Sequence, residues 1–133
     1  MGEIIIWTNG CFDVLHRGHI ELFKYAKSLG GKLYVGIDSD EKVKLDKGEG
    51  RPINKLADRI IMLKSIKYID EVFSFDNSHQ LETLISVITP DIMVIGSDWK
   101  NKKVIGQDFT NKLVFFDRIG NYSTTNILER INE

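Results

Sequence analysis

The sequence predicts an α/β protein, a five-stranded parallel sheet covered by helices on both faces in three layers. Three observations carry this. Short runs rich in Val and Ile alternate with segments at helical spacing along the whole chain. Parallel neighbours need crossover connections, and the intervening segments supply them. With 133 residues, 42% of them hydrophobic, the chain can bury one core and is too short for two ordinary domains, so residues 1–133 are expected to form a single domain.

The elements follow in order. "IIIWT" (4–8) reads as a buried strand. "DVLHRGHIELFKYAKSLG" places Val14, Leu15, Leu22, Phe23, Ala26 and Leu29 near helical spacing, with Asp13 as the expected N-cap and Gly30-Gly31 as the stop. "KLYVGID" (32–38) is the second strand. The polar, Lys-rich stretch from Asp40 to Arg51, with Gly48 and Gly50, reads as a loop closed by Pro52. "KLADRIIMLKSI" (55–66) is helical, "EVFSF" (71–75) a strand, "HQLETLISVIT" (79–89) a helix and "DIMVIG" (91–96) a strand. "KLVFF" (112–116) is the last strand, and "STTNILERI" (123–131) the closing helix. In open parallel sheets ligands bind beyond the carboxyl ends of the strands, which directs attention to 8–19, 38–51, 96–100 and 117–125.

Composition narrows the function classes. Eighteen basic against nineteen acidic residues leave a formal charge of −1, which offers no general attraction for nucleic acid or an anionic membrane. Any affinity for anions must be local. Cys11 is the only cysteine, the N-terminus lacks a signal-peptide pattern, and no window approaches the roughly 20 apolar residues of a membrane span. A cytoplasmic protein is expected, with no nucleic-acid or membrane partner.

His16 and His19 lie three apart with Gly18 between them, at the strand-to-helix junction. On a helix this spacing puts both rings on one face, about 5–6 Å apart at Cβ. That face sits at the positive end of the helix, where free N–H groups favour an anion, and Gly18 lets a bulky phosphate approach. Imidazole donors aimed at growing negative charge contribute about 3–4 kcal/mol each to a transition state. The plainer alternative stays open: His16 caps the helix, His19 is half-buried and Gly18 is incidental. A zinc site would need a third ligand, and His79 belongs on another side of the sheet.

"TNGCFDVLHRGH" resembles the signature of the small nucleotidyltransferases, in which His-x-Gly-His opens the first helix of a Rossmann-like domain. "GIDSDEKVKLDKGEGRPI", "LADRIIMLKSIKYIDEV", "PDIMVIGSDWK" and "RIGNYSTTNILERI" resemble successive segments of the same family in the same order. Within it, "KGEGRPIN" and "STTNI" are most similar to the adenylyltransferase domains that make ADP-heptose from ATP and heptose 1-phosphate for surface polysaccharide. "GSDWK" and Arg118 also resemble glycerol-3-phosphate cytidylyltransferases. A nucleotide-binding module without turnover is the alternative of another class.

The resemblance implies that a phosphorylated sugar or polyol attacks the α-phosphorus of a nucleoside triphosphate and releases pyrophosphate. The nucleophile is already anionic, so charge neutralisation and alignment are needed rather than a general base. Catalytic roles fall to His16, His19, Lys44 and Arg118. Thr8, Asn9, Gly10, Cys11, Phe12, Gly18, Lys47, Arg51, Gly96, Asp98, Ser123 and Thr124 are expected to bind the nucleotide, and Asp13, Arg59 and Trp99 the acceptor. Plainer readings stand beside these. Lys42, Lys44 and Lys47 alternate with acidic residues as on a solvated loop, and Ser123 to Thr125 are ordinary helix caps. Trp99 suits a subunit contact as well as a ring stack, Arg59 a surface salt bridge, and Cys11 a small packed residue with no adjacent base. The family usually has Gly two residues before Ser123; Asn121 stands there, a residue that tolerates positive φ. Tyr122 is bulkier than its usual counterpart. Magnesium is expected on the triphosphate with no dedicated protein ligand, and relatives of this size imply a homodimer.

Overall fold

A computed structural model describes residues 3–118, 120 and 122–131. Asn121, and with it the turn expected there, lies outside the described residues. The strands are β1 (Ile5–Gly10), β2 (Lys32–Asp38), β3 (Glu71–Phe75), β4 (Ile92–Gly96) and β5 (Lys112–Phe116). The helices are α1 (Arg17–Ser28), α2 (Asp40–Lys47), α3 (Leu56–Lys64), α4 (Ser78–Ile88) and α5 (Thr124–Ile131). All strand pairings are parallel, in the order β3-β2-β1-β4-β5.

Strand side chains alternate between two cores, as period-2 geometry requires. Ile6, Leu33, Val35, Ile37 and Val94 join Phe23 and Ala26 of α1 and Leu63 of α3. Trp7, Phe75 and Met93 face the other way, against Leu81 and Ile85 of α4 and Val104. The expected three-layer architecture is therefore present. Trp7 is wholly buried, with its indole N–H donating to Asn9 Oδ1. Its ring lies across β2 so closely that a Cβ on Gly36 would come within 2.4 Å of it, so only glycine fits there.

Two expectations are corrected. The stretch 40–47 is a two-turn helix, because Ser39 Oγ accepts from Lys42 N and Val43 is buried beneath it. Asp40 and Glu41 open this helix and Lys44 and Lys47 end it, matching the helix dipole. One buried residue leaves no apolar periodicity to read. Asp13, in turn, does not cap α1; His16 does. The chain from Cys11 to His16 is irregular, with Phe12 and Val14 at positive φ.

The site is positioned by how β1 leaves the sheet. β1 pairs with β2 from Ile5 through Gly10 but with β4 only at Ile6 and Trp7. Beyond Trp7 the two strands part, and their connections depart to opposite faces. A crevice opens at this switch point.

Candidate active site

A cleft of about 370 Å³ lies beyond the carboxyl ends of β1, β4 and β5. Its floor is the main chain from Gly10 to Asp13 and from Gly96 to Asp98, with Phe116 beside it. The first turns of α1 supply His16, Gly18, His19 and Leu22. The α2–α3 side supplies Lys47 and Arg51; Arg118 and the start of α5, Tyr122 to Thr125, close the other side. A Cβ on Gly96 would meet nothing within 4 Å, so the floor is open there.

The two histidines form a reciprocal cap. Gly18 N donates to His16 Nδ1 at 3.0 Å, and His16 N donates to His19 Nδ1 at 3.2 Å. Two of the orphan amides at this end of α1 are thereby satisfied by ring nitrogens. Because each Nδ1 accepts, each neutral ring carries its proton on Nε2, the nitrogen left for a ligand. The rings stack with centroids 3.8 Å apart. Burial, then the neighbouring His16, holds His19 down at about 4, and burial followed by Arg118 lowers His16. Both rings are therefore neutral donors near pH 7. Gly18 has a steric reason of its own: a Cβ there would sit 2.8 Å from the His16 ring. The capping and phosphate readings of this motif are thus compatible, since capping uses Nδ1 and leaves Nε2–H.

Behind the histidines, buried polar bonds hold the strained loop. The Asp13 carboxylate accepts from Ile53 N at 2.6 Å, Asn54 N at 2.9 Å and Arg51 Nε at 3.2 Å. Thr124 Oγ1 donates to the carbonyls of Asp13 and Val14. Positive φ at a β-branched residue such as Val14 persists only where the surroundings dictate it, and these bonds do so.

The cleft gathers Lys47, Arg51 and Arg118, with Arg51 paired to Asp13 and Arg118 3.7 Å from Asp98 across the mouth. Of the sequence-expected residues, Gly10, Cys11, Phe12, Asp13, His16, Gly18, His19, Lys47, Arg51, Gly96, Asp98, Arg118, Ser123 and Thr124 line it. Thr8, Asn9, Lys44, Arg59 and Trp99 do not line it; Thr8 and Arg59 are buried. Arg59 donates to Asn54 O, Cys11 O, Asp38 O and Asp40 Oδ1, so its guanidinium joins the loops that form the cleft instead of facing a ligand. Its surroundings are polar carbonyls, which its sequence context could not reveal. Asn9 holds Trp7, exposed Lys44 lies 3.9 Å from Glu49, and Trp99 is exposed with Lys102 over its ring. Leu22, Ser97, Phe116, Tyr122 and Thr125 also line the cleft. Leu22, three residues after His19 on α1, was within reach of the helical period; Phe116 needed the sheet order. Cys11 is a packed residue whose thiol burial pushes up.

The model of the cytidylyltransferase-like family matches residues 7–130. The chain is 43% identical over 130 residues to the bifunctional protein HldE of Campylobacter fetus subsp. fetus, covering 98% of this chain and 28% of that protein. It is 44% identical over 127 residues to the bifunctional protein HldE of Helicobacter hepaticus, covering 96% and 26%. It therefore spans little more than a quarter of the length of these relatives. The crystal structure of the lipopolysaccharide core biosynthesis protein from Thermoplasma volcanium matches with a TM-score of 0.69 at 24% identity, covering 92% of this chain and 100% of that one. Pantoate-beta-alanine ligase from Francisella tularensis matches at 0.61 and 17%, covering 98% and 69%. At these identities the solved structures show a shared fold.

Proposed function

Since the chain belongs to the cytidylyltransferase-like family, we propose that it is a nucleotidyltransferase moving AMP from ATP to a sugar phosphate, heptose 1-phosphate, with release of pyrophosphate. The single observation carrying the chemistry is the stacked histidine pair, whose capping bonds leave two Nε2–H donors at a helix N-terminus lining a cleft with three cationic side chains. An acceptor phosphate oxygen would form the new bond to the α-phosphorus while the α–β bridging P–O bond breaks toward pyrophosphate. Negative charge grows on the phosphate chain as this happens. Neutral imidazole donors, with Lys47, Arg51 and Arg118 as fixed cations, suit that charge.

The two carboxylates of the cleft each face an arginine, Asp13 with Arg51 and Asp98 with Arg118, and no group of three His, Cys, Asp or Glu side chains suited to a metal ion occurs among the described residues, so the remaining donors fit phosphate oxygens. Magnesium accordingly enters on the triphosphate, as part of the substrate. The extended identity to the HldE proteins supports the sugar-phosphate acceptor, and the loop "KGEGRPIN" supports heptose 1-phosphate and a place in surface polysaccharide synthesis. A paired, cytoplasmic enzyme belongs to the same proposal. The likeness of "GSDWK" to glycerol-3-phosphate cytidylyltransferases keeps CTP with that acceptor as the second reading.

Pyrophosphate release from ATP and CTP, each offered heptose 1-phosphate and glycerol 3-phosphate, tests both. Turnover with ATP and heptose 1-phosphate is expected; tight nucleotide binding with no pyrophosphate from any pair would overturn the enzymatic reading. His16→Ala and His19→Ala should each lower kcat by about 10²–10³ while the far-ultraviolet circular dichroism stays folded.

A further inference from the structure

A nucleoside triphosphate and a phosphorylated acceptor are both polyanions, and the reaction proposed above brings them into one cleft. A phosphate monoester carries about two negative charges at pH 7, so each substrate needs cations of its own. The acceptor oxygen must also reach the α-phosphorus from the side opposite the departing pyrophosphate. Two cationic ends are therefore required. The cleft has them: Lys47 and Arg51 stand on its α2–α3 side, and Arg118 stands with the start of α5 on the other. Burial and then the Arg118 charge lower the His16 pKa, which puts that guanidinium at the end held by the histidine donors.

Arg51 is the fixed cation of the opposite end. Its side chain is 15% exposed, and Nε donates at 3.2 Å to Asp13 Oδ2, part of a carboxylate with no exposure at all. The same carboxylate accepts from Ile53 N and Asn54 N, so residues 51–54 wrap around it. The segment is held again just beyond: Arg59 Nε donates to Asn54 O at 2.9 Å, and Leu56 N donates to Asp40 Oδ1 at 2.8 Å. Nη1 and Nη2 of Arg51 have no hydrogen-bond partner among the described residues. They are left for a ligand. Such a planar fork fits two oxygens of one phosphate, and little entropy is lost on binding because Asp13 already fixes its plane. Arg118 differs, being 66% exposed and 3.7 Å from an exposed Asp98.

We propose that Arg51, oriented by Asp13, clamps the phosphate of the acceptor: its Nη groups hold two oxygens of the monoester while the third attacks, and the triphosphate belongs to the Arg118 end. The bond from that third oxygen to the α-phosphorus forms as the α–β bridging P–O bond breaks, so the clamp moves no proton. The family resemblance groups Arg51 with the nucleotide; here it selects the acceptor by its phosphate, whichever sugar or polyol carries it. The inference rests on the nucleotidyl-transfer reading, because that reaction is what makes two polyanions meet.

Titration calorimetry on the full chain tests this with Arg51→Gln, Arg51→Lys and Arg118→Gln. Each is titrated with magnesium ATP and then, saturated with magnesium and α,β-methylene ATP, with heptose 1-phosphate and with glycerol 3-phosphate. Arg51→Gln should weaken whichever phosphate ester the parent binds by about ten- to a hundredfold and leave ATP within about twofold. Arg51→Lys keeps a cation for Asp13 without the fork. It should melt near the parent's midpoint and still lose about tenfold for the ester, with ATP unchanged. Arg118→Gln should show the reverse pattern. Equal losses for ATP and ester in a folded Arg51→Lys, or unchanged ester affinity in both Arg51 variants, overturn the proposal, as does a parent that binds neither ester. A parent that binds both substrates yet releases no pyrophosphate ends the enzymatic reading, and the same titrations still decide where the ester phosphate sits.

Discussion

His19 shows what a single side chain contributes. Its folded pKa of about 4 lies below the usual 6.5, so the unfolded chain binds the proton more readily. The stability this represents is fully present above about pH 6.5 and is lost as pH falls toward 4, at most about 3 kcal/mol. Asp38, raised by burial, works in the opposite sense, so the comparison must be differential. Urea midpoints for the parent and His19→Gln across pH 4–7 should show a shallower decline in the variant; parallel curves would refute the assignment. Asp13 makes the complementary case. With its carboxylate enclosed and accepting three bonds, Asp13→Ala strands Arg51 and two amides, and should cost about 3–5 kcal/mol in chemical denaturation. The histidine pair was legible because its spacing is a local fact of one helix turn. The duties of Asp13 and Arg59 were not, because all but one of their partners lie 19 to 48 residues away.

The strands were legible as elements and the helices nearly so, because apolar runs and helical periods are local signals. The helix α2 was missed for a physical reason: one buried valine and a serine cap stabilise it, and alternating charges conceal it. The α1 boundary moved because capping was assigned to Asp13, the nearest acidic residue, while the reciprocal histidine bonds do the capping instead. Between β1 and β2 the packing has no slack. Gly36→Ala would push a methyl into the fully buried Trp7 ring and should lower stability by about 1–3 kcal/mol, read as a reduced thermal midpoint with retained secondary structure.

Across the whole molecule, one topological event creates the site. The order β3-β2-β1-β4-β5 sends the connections after β1 and β4 to opposite faces, and the short β1–β4 ladder lets their ends part. Three chain segments far apart in sequence meet there: residues 10–22, 47–51 and 96–125. A ligand in that crevice ties them together, so ATP with magnesium at about 100 times its Kd should stabilise the fold by about 2.7 kcal/mol and raise the melting midpoint. An unchanged midpoint at such saturation would mean that nucleotide does not bind the folded chain. The sequence by itself determined the parallel α/β fold, the histidine pair at the first helix and the loops to inspect, since hydrophobic period and helix-end chemistry act over a few residues. Only the tertiary structure decided that Asp13 and Arg59 brace the loops and that Nδ1 caps while Nε2–H stays free. Those outcomes depend on which distant groups share a low-dielectric space, and that is a property of the assembled chain.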